Sequence, residues 1–266
     1  FLLVELTFWQ RLVLSGGVRY DDNSAWGSEN TLSGSVLYHL EETGTRFRAN
    51  YGEGFRGPKP TELHDPWVGN ADLTPESSVS VDLGVEQSFL DGALTAEVTA
   101  FELSTEDLIA YDPATFLLQN YDETRTRGLE TAVAWWATKE LLARTWWTFQ
   151  DPVDLNAAAG EDDQLPGRPK WFGGADVSWR EDTWSVGIHF QASGEYPATP
   201  RITPDGDARK DAGRKLLMGL RGRVDVTENA AVTARIENLF DDDWYDDTAR
   251  PSGSGLGFYL GAEIRF

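Results

Sequence analysis

Along nearly the whole chain, large apolar side chains recur at every second position. Val79, Val81, Leu83 and Val85 share one side of an extended backbone, and Ser80, Asp82, Gly84 and Glu86 share the other. Trp184, Val186, Ile188 and Phe190 oppose Ser185, Gly187, His189 and Gln191 in the same way. Met218, Leu220, Val224 and Val226 oppose Arg221, Arg223 and Asp225. The final stretch sets Phe258, Leu260, Ala262, Ile264 and Phe266 against Tyr259, Gly261, Glu263 and Arg265. A period of two fits strands, and long helical periodicity is hard to find. The chain is therefore read as all-β. Two architectures produce this pattern. A soluble sandwich buries the apolar face and wets the polar one. A transmembrane barrel turns the apolar face to lipid and the polar face to its lumen.

The connections separate these readings. About thirteen strands are expected, starting near positions 2, 12, 30, 45, 77, 93, 116, 141, 168, 183, 212, 230 and 256. Short links at Glu41–Gly44, Leu90–Gly92, Ala137–Glu140, Arg180–Asp182 and Thr227–Asn229 alternate with longer polar links. The longer ones are Asp21–Glu29, Gly57–Glu76, Asp151–Pro166, Pro197–Asp211 and Asp241–Gly255, with a short turn at Asp112–Thr115 as the exception. Short turns at one end and long loops at the other describe an antiparallel outer-membrane barrel. Trp135, Trp136, Trp146, Trp147, Trp171, Phe172 and Trp179 are expected near strand ends, where interfacial aromatic girdles lie. An odd strand number cannot close an up-and-down barrel without a parallel pair, so earlier strands are expected to precede this stretch. Phe1 sits mid-strand, which points to truncation at the front, whereas Phe266 reads as a genuine C-terminus.

Composition narrows the chemistry. Twenty-three Lys and Arg against 44 Asp and Glu give a formal charge of −21, which argues against a nucleic-acid partner. Cysteine is absent, which excludes disulfides and thiolate chemistry. His39, His64 and His189 show no metal-ligand spacing. No apolar run reaches the ~18 residues of a transmembrane helix.

Several short stretches, in order, resemble TonB-dependent outer-membrane receptors. Asn50–Pro58, with Gly54, Phe55, Arg56 and Pro58, followed by Glu62 and Leu63, resembles the family's strand and loop opening. Gly69–Glu76, with Asn70, Leu73, Pro75 and Glu76, is similar to a second motif in which Ala71 replaces the usual proline. Asp107-Leu-Ile, Asn120-Tyr, Arg127–Glu130 with Gly128 and Glu130, and Glu237–Asp241 with Asn238, Leu239, Phe240 and Asp241 follow. The likeness runs from about residue 12 to 266 and is greatest to cobalamin-receptor-like and siderophore-receptor-like members. It implies that residues 1–266 are the C-terminal part of a barrel of about 22 strands, without its plug domain or earliest strands. It also implies that TonB is contacted only through the missing N-terminal part.

Most of the motif residues have structural explanations. Arg56-Gly-Pro and Thr74-Pro-Glu set the chain where it leaves and re-enters a strand, since proline fixes φ and donates no ladder bond. Asn238 and Asp241 can bond neighbouring backbone at a strand-to-loop transition. Gly128 permits a close approach or a bulge.

The function implied by the resemblance is energised import of a siderophore–iron complex or a cobalamin-like nutrient across a Gram-negative outer membrane. Trp67, Tyr121, Trp244, Tyr245 and Arg250, in or beside long loops, are the candidate ligand contacts, because large amphipathic side chains suit a bulky ligand. Arg19, Arg46, Arg48, Glu86, Arg221, Arg223, Glu263 and Arg265 are expected to line a polar lumen wall. Phe258, Ile264 and Phe266 resemble the terminal signal for the barrel-assembly machinery, and lipid is the other expected partner. No cofactor is expected. Acidic runs at Glu161–Asp163 and Asp241–Asp247 lack the spacing of a calcium loop and read as solvated. A passive porin-like barrel and an outer-membrane hydrolase are the alternatives, the latter without any nucleophile and base placed to support it.

Overall fold

The structure is a computed structural model that describes residues 1–112, 115–157, 163–197, 211–212, 214–242 and 255–265. Its strands are β1 (Leu2–Phe8), β2 (Leu12–Asn23), β3 (Gly27–Leu40), β4 (Thr45–Arg56) and β5 (Glu76–Phe89). They continue as β6 (Leu94–Asp112), β7 (Leu117–Trp136), β8 (Leu141–Asp154), β9 (Trp171–Arg180) and β10 (Trp184–Ser193). The two-residue β11 (Tyr196–Pro197) and β12 (Asp211–Ala212) pair with each other only. The last three are β13 (Lys215–Thr227), β14 (Ala230–Glu237) and β15 (Gly257–Ile264). Among the described residues, one α-helix, α1 (Pro60–His64), and a 3-10 turn at Leu90–Gly92 interrupt this series.

Thirteen strands bond in chain order from β1 to β15, leaving aside β11 and β12. Every expected strand start lies within three residues of an observed one. The expected link Asp21–Glu29 is a correction. β2 runs to Asn23 and β3 begins at Gly27, so Asp21 pairs with Glu29 and only residues 24–26 turn. Its residues are polar because strands can outrun the apolar band, and there both faces are wet. The tryptophans correct a second point. Trp146 and Trp147 lie several residues inside β8 rather than at its end, and the Trp147 ring meets Trp171 at 6.2 Å. Adjacent residues on a strand face opposite ways, so such a pair cannot belong to one girdle.

Very little apolar surface is covered. Among the described residues the buried apolar side chains are Leu63, Leu73, Val153, Ala192 and Ala231, with Pro58 and Pro152. Leu83 is 59% exposed and Leu260 is 81% exposed. A sandwich would cover such residues with a second sheet; a face this bare is one that meets hydrocarbon.

The chain divides into two compact units. In the first (Phe1–Glu86, Thr99–Leu129 and Asp151–Asp163), the polar face is knitted across strands. Arg46 on β4 donates to Glu86 on β5 at 2.9 Å, and Asn50 donates to Asp82 at 2.6 Å. Arg48 on β4 reaches beyond β5 to donate to Thr99 on β6 at 2.6 Å. It lies over Gly84, where an added Cβ would come 2.6 Å from Arg48 Nε.

In the second unit (Gln87–Val98, Glu130–Gln150 and Gln164–Phe266) the same device recurs. Asp176 on β9 accepts from Arg144 on β8 and from Arg221 on β13, each at 2.9 Å. Arg221 crosses β10 at Gly187, with which it is in register. Arg223 donates to Glu263 at 2.7 Å, and Arg265 donates to the same carboxylate at 2.8 Å. The expected wall residues Arg46, Arg48, Glu86, Arg221, Arg223 and Glu263 thus pair across strands, whereas Arg19 bonds Asp21 and Arg265 bonds Glu263, each two residues along its own segment.

Replacing Gly84 with Val forces Arg48 off its path and breaks its bond to Thr99. The expected cost is about 1–3 kcal/mol, as for other overpacked sites. Urea unfolding of the refolded chain in micelles, followed by tryptophan fluorescence, measures it. Gly84→Ser, with less bulk, should cost less than Gly84→Val.

Candidate functional site

The link from β4 to β5 is the best-braced long loop in the first unit. β4 ends at Arg56 and β5 starts at Glu76, so both partners sit where the backbone leaves and re-enters the ladder. The guanidinium of Arg56 binds Glu76 in a two-bond fork, Nε at 2.8 Å and Nη2 at 2.6 Å. Its Nη1 donates to both oxygens of Glu62 in α1, at 3.1 and 2.9 Å. Such paired, charge-assisted bonds fix angle as well as distance. Glu76 also accepts the Ile109 amide at 2.8 Å, and its side chain is only 9% exposed.

The rest of the loop closes over this fork. Pro60 occupies the first turn of α1, where a missing N–H does no harm, and Glu62 accepts the Lys59 amide at 2.7 Å. Leu63 and Leu73 are buried beneath. Asn70 donates to the Leu118 carbonyl at 2.9 Å. Asn120 accepts the Thr74 amide and donates to the carbonyls of Thr74 and Asp107. Asp107 is held at φ 57°, a left-handed conformation that places its carbonyl for this bond. The Trp26 ring caps the other side, 5.4 Å from Phe55 and directly over Gly57. Phe55, Arg56, Pro58, Asn70, Leu73 and Glu76, with Asp107 and Asn120, therefore meet in one knot, along with neighbouring Gly54 and Pro75.

Burial pushes the Glu62 carboxyl up, but the Lys59 amide and the Arg56 guanidinium outweigh it and hold the carboxyl below the usual range. A carboxyl lowered by folding stabilises its surroundings above its unfolded pKa of about 4.3. That stabilisation is lost as pH falls through the lower folded value.

At the crest of this brace stands Trp67, 84% exposed. Asp65 turns the chain beneath it, accepting the Trp67 amide at 2.8 Å and the Val68 amide at 3.1 Å. Trp67 is the candidate contact whose side chain the structure displays. Tyr121 lies in β7, but its side chain is outside the described residues, as are Trp244, Tyr245 and Arg250 entirely. The candidate contacts are thus not brought together among the described residues. Residues 161–162 and 243–247 of the acidic runs are outside them too.

The second unit has its own braced turn after β14. Asn238, with φ 51°, is buried and exchanges bonds with Asp242 through both ends of its amide, at 3.0 and 2.9 Å. Leu239 donates its amide to Met218, and Asp241 accepts the Leu256 amide at 2.7 Å. Phe240 is exposed. On β7, Gly128 follows Arg127, which faces Asp151 at 3.7 Å, and Glu130 is exposed. Phe258 and Ile264 project from β15, 71% and 63% exposed, and Phe266 is outside the described residues. What sequence reasoning missed is Trp26 and α1. The first gave no signal beyond an aromatic in a polar link, and the second is a single turn.

Comparison with known proteins gives the setting of these motifs. The family model described as TonB dependent receptor-like, beta-barrel matches residues 1–239. The vitamin B12 transporter BtuB of Photobacterium profundum is 28% identical over 249 residues, 91% of this chain and 38% of that protein. An iron-regulated outer membrane virulence protein of Vibrio cholerae is 24% identical over 299 residues, 100% of this chain and 44% of that protein. The chain therefore spans about two-fifths of the length of the curated relatives it matches. Among solved structures, the ferric-catecholate import receptor Fiu from E. coli superposes with a TM-score of 0.79 at 18% identity, over 98% of this chain and 43% of that one. The pyoverdine receptor FpvA of Pseudomonas aeruginosa gives 0.79 at 16%, over 98% and 41%.

Acid should open the brace. The protection factors of the Lys59 and Asn70 amides, taken against the intrinsic exchange rate at each pH, are expected to be high at neutral pH and to fall as pH drops through the lowered range of the Glu62 carboxyl. Glu62→Gln should lose much of the protection already at neutral pH.

Proposed function

Because the chain belongs to the TonB-dependent receptor-like β-barrel family, we propose that it forms part of the wall and outer loops of a receptor that imports a scarce, bulky nutrient. The nutrient is a siderophore–iron complex or a cobalamin-like compound. The family is one of transport receptors rather than enzymes, and its place is the outer membrane of a Gram-negative bacterium. Capture at the outer loops precedes import, which is energised through TonB by a part of the protein outside this chain. Lipid covers the apolar face, and β15 presents Phe258 and Ile264 to the barrel-assembly machinery.

One observation carries this reading. A braced loop between the end of β4 and the start of β5 holds Trp67 out at almost full exposure, on feet tied by a fork of three charged side chains. A large aromatic ring is costly to leave bare in water, and order in the loop lowers the entropy lost when a ligand docks. A passive porin-like channel would need no such platform.

Deleting the gene should abolish uptake of one radiolabelled nutrient, either a ferric siderophore or cobalamin. Restoring it with Trp67→Ala should leave ligand binding about tenfold weaker, or ~1.4 kcal/mol. Unchanged uptake of every tested compound in the deletion strain would contradict the receptor reading, as would steady ion conductance in a planar bilayer.

A further inference from the structure

The sheet of the first unit has an open seam at its long-loop end. β2 and β3 stay paired from Leu12↔Tyr38 up to the turn at Asn23↔Gly27. β3 and β4 part sooner, for their ladder runs from Leu40↔Thr45 only to Ser33↔Gly52. Beyond that point β3 continues through residues 27–32 and β4 through residues 53–56 without pairing to each other.

Backbone direction shows what the seam leaves open. The Leu32 amide points toward β4, where the Glu53 carboxylate accepts it at 3.0 Å, whereas the His39 amide goes to Arg11 on the β2 side. Amides alternate sides along a strand, so Ser28 and Asn30 also turn theirs toward β4, and neither has a ladder partner there. Such a row of N–H and C=O groups is a template for pairing.

One side chain blocks the next pair. In the continued register Leu32 would face Glu53, and the Glu53 carbonyl would accept the Leu32 amide. The Glu53 side chain takes that amide instead, steadied by the Tyr51 hydroxyl, which donates to it at 2.5 Å. At the far end Trp26, just beyond β3, packs on Phe55 of β4 with ring centres 5.4 Å apart. The two lips are thus held within reach of each other at both ends. Continuing the register would also set Asn30 opposite Phe55, Glu29 opposite Arg56 and Ser28 opposite Gly57. Glu29 forms no ion pair among the described residues. Arg56, which now holds Glu76 and Glu62, would then meet a third carboxylate on its own face of the sheet.

We propose that the seam is a latch with two positions. Closing it extends the β3–β4 ladder to Ser28 and Gly57, displaces the Glu53 side chain, and brings Glu29 to Arg56 in competition with Glu62. Glu62 is the partner given up, because Glu76 holds Arg56 by a two-bond fork and is itself nearly buried. Loss of Glu62 loosens α1 and the loop that carries Trp67, so the open seam and the braced loop belong to one state. The latch concerns the chain's own strands and does not depend on what Trp67 contacts.

The chain has no cysteine, so a trapping pair can be placed within it. Asn30→Cys with Phe55→Cys puts thiols within disulfide reach only when the seam is closed. Outer membranes from cells expressing the intact receptor are oxidised with copper phenanthroline, and the linked peptide is identified by mass spectrometry. Val36→Cys with Ala49→Cys, already in register, is the control. The seam pair should link about tenfold more slowly than the control, since the open state dominates. Adding Glu53→Val should speed linking about tenfold and Glu62→Gln about threefold, whereas Glu29→Gln should slow it about threefold. Linking as fast as the control from the start, or a rate indifferent to all three substitutions, overturns the proposal.

Phe55→Cys removes the ring on which Trp26 packs, so a second measurement leaves both in place. Hydrogen exchange of the intact receptor in detergent, read on peptides covering residues 27–32, should be fast and should slow about tenfold in Glu53→Val. Fast exchange persisting in a variant of native strand content by circular dichroism overturns the latch.

Discussion

A peptide backbone can cross hydrocarbon only when its N–H and C=O groups bond to one another, and the strand ladder from β1 to β15 meets that demand. An unpaired amide there costs several kcal/mol, about 4–8 on an alkane scale. The exposed ion pairs of this chain are worth about 0–1 kcal/mol each. Ladder bonding therefore decides the fold, and side chains decide which face meets what. One face is left bare, as Leu83 and Leu260 show, because lipid rather than protein covers it. The other is tied by arginines that pass over glycines. Arg48 crosses Gly84 to reach Thr99, and Arg221 crosses Gly187 to reach Asp176. Links of this kind bind next-but-one strands and resist local slippage of register.

The same economy of charge shapes the ends of the strands. Arg56 closes β4 and Glu76 opens β5, so the fork between them converts a flexible link of about twenty residues into a closed loop with fixed feet. Glu62 and Asn120 then remove most of the remaining freedom, and Trp67 is what the construction presents outward. Asn238 and Asp241 do comparable work in the second unit, where they tie the start of β15 to the end of β14. Charge that would be costly alone is used in every case to order a backbone.

Much of this could be read before any coordinates. The two-residue period placed thirteen strands because each has one apolar face, and the link lengths told the two ends of the strands apart. Where both faces are wet the period fades, which is why the hairpin at residues 24–26 looked like a longer loop. The tryptophans misled for a related reason, since Trp146 and Trp147 announce aromatic content but not position along β8. Family resemblance marked Arg56, Asn70, Glu76, Asn120 and Asn238 without saying what they touch. Their partners lie 20, 48 and 46 residues away in the cases of Glu76, Leu118 and Thr74, and no local pattern encodes such distances. The cross-strand pairs of the second unit were equally hidden, because Arg144, Asp176, Arg221 and Glu263 come from four different strands.

Sidedness tests the account most directly, since everything rests on strands that cross the outer membrane with the braced loop outward. The sequence contains no cysteine, so a single one can be introduced without background. A membrane-impermeant maleimide applied to intact cells should label Trp67→Cys in the β4–β5 loop and should not label Asp91→Cys in the β5–β6 turn until the cells are opened. Labelling of both in intact cells, or of Asp91→Cys alone, would contradict the account.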